Sequence, residues 1–135
     1  MACDTLSDSE AMIAKIVAFL AEKGVRLTDV SAVELGYPRE QGADTLFENA
    51  IEWLISENII RQRALHRTQG GKLHETVAKS CVLTSHGFAL LAVPFDKNLS
   101  LGAAVRQTAE EGSGFSNAGS FFGGLLGSFT KSVAN

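Results

Sequence analysis

Apolar residues first recur at helical spacing after an acidic start. Met12, Ile13, Ile16, Val17, Phe19 and Leu20 suit one side of a helix, and Gly24 follows as a stop. Ser7 and Glu10 have the spacing of a capping box, so a first helix is expected over about 8–23. In "TDVSAVELG", Thr28 or Asp29 can cap a short second helix and Gly36 can end it. Tyr37-Pro38 then blocks continuation, because a residue before proline avoids the α region. "TLFENAIEWLISENII" carries the plainest pattern. Leu46, Phe47, Ala50, Ile51 and Leu54 share a face, with Trp53 and Ile55 at its margins. Thr45, Glu48, Asn49, Glu52 and Ser56 form the polar side. Thr45 and Glu48 repeat the capping-box spacing, and Asn58 suits a left-handed terminus.

From Ile59 the period changes. "IIRQRALHR" and "ETVAKSCVL" flank "TQGGKLH", whose Gly70-Gly71 marks the turn of a hairpin. Thr84 or Ser85 can cap a closing helix in "SHGFALL", Gly87 allows its close approach to a neighbour, and Pro94 marks its stop. The expected class is α+β, mostly α: three helices, a hairpin and a closing helix.

In this order the chain resembles the winged helix-turn-helix family. "ENAIEWLISENIIR" is similar to a third helix running into the wing, and "CVLTSHGFALL" to the wing's second strand entering a closing helix. The resemblance covers about residues 8–93 and implies a winged helix. It implies DNA binding or protein binding without choosing, since the scaffold serves both.

The remainder divides in two. Residues 94–112 read as a linker, Pro94 to Ser100, and a short helix; 113–135 read as a Gly/Ser-rich association tail attached to a 1–93 domain. Gly119, Gly123 and Gly127 are four apart, and a helix would place them beside a ridge of Phe121, Phe122, Leu125, Leu126 and Phe129. Such a helix has little propensity of its own and needs a surface: its own domain, a second subunit, a partner protein or a lipid interface. The tail is similar to the ends of some bacterial proteins, which implies a bacterial source and no particular role.

Charge changes the functional picture. Residues 1–60 hold eleven acidic and four basic residues, whereas 61–79 hold five basic and one acidic. Arg61, Arg63 and Arg67 alternate, which predicts one side of a strand; Lys72 and His74 sit by the turn and Lys79 on the return strand. A wing so furnished can grip phosphates or an acidic partner, or it can simply protect a strand edge. The third helix offers a base reader in Asn49, but Glu48 and Glu52 beside it are repelled by phosphates.

Candidate chemistry is sparse. Cys81 and His86 are a lone pair at metal-ligand spacing, no G-x-S-x-G elbow occurs, and "TQGGK" is too short for a phosphate loop. No catalytic residue, metal or cofactor is expected. Two widely spaced cysteines, Cys3 and Cys81, and no secretory signal point to free thiols in the cytoplasm. The expectation is a non-enzymatic regulatory or adaptor protein that works by protein contacts and self-association. The alternatives are a transcriptional regulator that touches DNA mainly through the wing, and membrane-surface association through the tail.

Overall fold

The computed structural model describes residues 5–70, 73–92, 94–96, 99–100 and 103. Helix α1, Thr5–Lys23, buries Met12, Ile13, Ile16, Val17 and Leu20. It ends at Gly24, whose φ of 64° is the left-handed conformation glycine adopts without strain. Because α1 starts at Thr5, Ser7 lies in its first turn and not before it; the side chains of Ser7 and Glu10, read as a capping box, lie outside the described residues.

The expected second helix is instead strand β1, Thr28–Ser31, followed by a turn through Gly36. Val30 is fully buried and Asp29 exposed, the alternation of a half-buried strand. The Ser31 hydroxyl accepts the Glu34 amide at 3.2 Å, and Tyr37 N–H returns to the Ala32 carbonyl at 3.0 Å. These local bonds close one turn and leave no ladder to extend it.

Helix α2, Gln41–Ser56, starts one turn before the expected Thr45, with Glu40 in the cap position and extended. Ala43, Phe47, Ala50, Ile51 and Leu54 are buried against α1 and the sheet. Its end is a Schellman motif: Ile59 N–H bonds the Leu54 carbonyl at 2.9 Å, Asn58 N–H bonds that of Ile55 at 2.9 Å, and Asn58 has φ 61°.

The hairpin is present, but its first arm is broken. β2 is Ile60–Arg61, β3 is Ala64–Gly70, and both pair antiparallel with β4, Leu73–Leu83. β4 is the spine of the sheet: Ala78 pairs with Val30 of β1 on one edge and with Leu65 of β3 on the other. Thr28 faces Cys81 while Val30 faces Ala78, so Asp29 stands opposite both Lys79 and Ser80. That is a β-bulge, with Ser80 in the left-handed region at φ 55°.

Thr84 caps α3, Ser85–Leu91, by accepting the Gly87 amide at 2.9 Å, as expected. The stretch after Pro94 is not a plain linker: β5, Pro94–Asp96, pairs antiparallel with β6, Leu99–Ser100. The architecture is α+β, with α1 and α2 packed on each other and on the central strand β4 of a small antiparallel sheet. The expected tail helices, including Gly119, Phe121, Phe122, Gly123, Leu125, Leu126, Gly127 and Phe129, lie outside the described residues.

Candidate functional site

Two of the hairpin's cations are occupied internally. Arg67 sits opposite Thr76 in the β3–β4 register, facing α2. Its Nε and Nη2 donate to the two carboxylate oxygens of Glu48, both at 2.9 Å, and the Thr76 hydroxyl donates to the same carboxylate at 2.6 Å. Glu48 is therefore not a helix cap; it is the point where α2 is tied to both arms of the hairpin. The hydrogen bonds from Arg67, helped by Thr76, hold its carboxyl below the ordinary range against the opposing effect of partial burial. Lys79 is held in turn by Asp29 at 3.1 Å, and the same carboxylate accepts the Ser80 amide of the bulge at 3.0 Å. That amide, then Lys79, keeps the Asp29 carboxyl low.

The sign of the pH effect follows. A carboxyl whose folded value is depressed contributes stability that is complete above its unfolded value and fades as pH falls toward the folded one. For Glu48 the loss begins below its ordinary value of 4.5. Thermal melts should show Glu48→Gln costing about 1–2 kcal/mol at pH 7, a modest figure because Arg67 is largely solvated, and progressively less at acid pH as the carboxylate is protonated. An equal penalty at neutral and acid pH would mean the ion pair does not form in solution.

The remaining arginines gather elsewhere. The strand is interrupted at Gln62 and Arg63, and the three arginines of the expected single face go to two places: Arg67 to Glu48, Arg61 and Arg63 to a separate depression. Arg63 N–H closes the corner on the Lys79 carbonyl at 2.9 Å. Arg61 and Arg63, with Leu27, Gln62 and Ser80, line a shallow depression of about 190 Å³. Leu27, at the end of the loop between α1 and β1, contributes to its wall. Val25 is 82% and Leu27 55% exposed, with the exposed Arg26 between them. Among the described residues, Arg26, Arg61 and Arg63 make no ion pair.

Asn49 is not part of this group. It lines a separate, mainly apolar groove of about 240 Å³ between α1 and α2, with Ile13, Leu46 and Trp53. The backbone of His74 pairs with Gln69 in the hairpin, while its side chain and all of Lys72 lie outside the described residues.

No family model, curated protein or solved structure matches this chain.

The loop residues Val25, Arg26 and Leu27 were not anticipated as part of a site. Their signal is legible in retrospect: two large apolar residues flank an arginine directly after a helix-ending glycine, where a turn would ordinarily be polar. Cys81 is fully buried, and burial, with a smaller contribution from Asp29, pushes its thiol up to about 12, which suits packing and not nucleophilic chemistry. Among the described residues no three His, Cys, Asp or Glu side chains gather as a metal site, and no helix is long and apolar enough to cross a membrane.

Proposed function

We propose that this chain is a non-enzymatic binding module, regulatory or adaptor in role, that docks an acidic partner protein at the corner formed by Val25, Arg26, Leu27, Arg61 and Arg63. The distribution of cations supports this reading. Arg67 and Lys79 are neutralised by Glu48 and Asp29, whereas Arg26, Arg61 and Arg63 stand open beside exposed apolar side chains. The scaffold in this reading is winged-helix-like: α1, α2, the hairpin and α3 keep the expected order, with β1 and the 32–36 turn in place of the short second helix. Residues 113–135 supply self-association, on the strength of their apolar ridge.

DNA recognition through α2 is the less favoured alternative. Its exposed polar side presents Thr45, Asn49, Glu52 and Ser56, and the helix contains no lysine or arginine to meet phosphates. A photo-crosslinking residue at position 63, introduced in cells producing the protein, tests the choice. Products removed by protease and untouched by nuclease are expected, and the same residue at position 45 should give none of them. Nuclease-sensitive products from position 63 would overturn the reading in favour of nucleic acid.

A further inference from the structure

Resting on that reading, we infer that the depression beside Arg61 and Arg63 takes a short acidic segment of peptide in which carboxylates flank an apolar residue. Three features define the complement. First, two arginines, Arg61 and Arg63, line one small concavity of about 190 Å³, a size that holds side chains and not a folded surface. Guanidinium binds a carboxylate through paired N–H donors, so each arginine can take one acidic side chain in a fixed orientation. Second, Leu27 lines the same concavity at 55% exposure, and Val25 stands close by in the chain at 82%. An apolar side chain set between two acids has a surface to cover. Third, Ser80, which also lines the depression, is left-handed and its amide is bonded by Asp29, so the backbone there is fixed by the bulge.

A phosphate backbone is the poorer complement. Duplex DNA brings no apolar group for Leu27 and Val25, and it needs cations along several successive phosphates. Arg67 and Lys79, the neighbouring hairpin cations, are already paired with Glu48 and Asp29 and so offer no further row of charges for successive phosphates.

The test is fluorescence anisotropy of the full chain with a short labelled peptide containing Glu-Leu-Glu, at low and moderate salt. Its competitors are the Gln-Leu-Gln and Glu-Ser-Glu versions and a mixed-sequence DNA duplex. Saturable, salt-sensitive binding of Glu-Leu-Glu is expected. The double variant Arg61→Ala/Arg63→Ala should weaken it at least about tenfold, and Leu27→Ser by about fivefold. Arg39→Ala, which removes one positive charge at the Glu75 pair, should change it less than about twofold. All four positions are exposed, so circular dichroism should report an unchanged fold. Equal binding of Gln-Leu-Gln, or full binding by the double arginine variant, would overturn the assignment, and the peptide arm decides it even if a variant misfolds. A duplex that binds more tightly than Glu-Leu-Glu and is released by the double arginine variant would overturn it in favour of phosphate. A nuclease-resistant crosslink from position 63 without any peptide binding would retain a protein partner and sink the acidic-peptide assignment alone.

Discussion

Replacing Phe47 by alanine should lower the unfolding free energy by about 3–5 kcal/mol. Phe47 is fully buried and is the largest such side chain among the described residues. It projects from the middle of α2, the helix that packs on both α1 and the sheet. Truncation loses the transfer energy of the ring, and it leaves a cavity that three packed elements cannot easily close. A domain of this size has a total stability of about 5–15 kcal/mol, so the variant should be close to unfolding at room temperature. Urea titration followed by far-UV circular dichroism measures the effect. On the same helix, Ile55→Ala should cost less than about 1 kcal/mol, because Ile55 is 37% exposed. Similar penalties at the two positions would mean that α2 is not docked in this orientation.

Gly87→Ala should destabilise the protein by about 2–3 kcal/mol, against the direction that helix propensity gives. Inside an exposed helix, alanine is favoured over glycine by about 1 kcal/mol. Here the added Cβ would collide with the carbonyl oxygen of Ile59. That oxygen cannot simply retreat. It accepts the Thr84 amide at 2.9 Å and the Thr84 hydroxyl at 3.2 Å, and it follows the left-handed Asn58 that ends α2. The Thr84 hydroxyl also lies 2.7 Å from the Asn58 carbonyl and accepts the Gly87 amide at 2.9 Å. The exit of α2 and the entry of α3 are thus one hydrogen-bonded clasp, and relief at Gly87 breaks part of it. Thermal melts of Gly87→Ala and Gly87→Ser should both shift downward. A rise for Gly87→Ala would show that α3 stands farther from Ile59 than the clasp requires.

Much of this geometry follows from local sequence, and the remainder depends on distant partners. The faces of α1 and α2 are written in their 3.6-residue spacing, the end of α2 in Asn58, and the clasp in Thr84 and Gly87. Residues 28–36 read as a short helix because a four-residue strand carries too few positions to establish a period. Their strand character is settled by pairing with Val77, Ala78 and Cys81, some fifty positions later. Glu48 has the spacing of a cap, yet Arg67 and Thr76 claim it across 19 and 28 residues. The arginines at 61, 63 and 67 look equivalent only if their strand is continuous; the break before Ala64 sends two of them to Leu27 and one to α2. Candidate contact residues were therefore legible as a group, while their division into engaged and open cations was not.

That division can be measured directly by NMR of the arginine side chains. The Nε–H of Arg67 should be rigid and slow to exchange with solvent, and Glu48→Gln should abolish its protection. Arg61 and Arg63 should exchange fast and show mobile Nε–H vectors until an acidic ligand is added. A mobile Arg67, or an Arg61 or Arg63 already rigid and protected in the free protein, would contradict the assignment of the open corner as the binding surface.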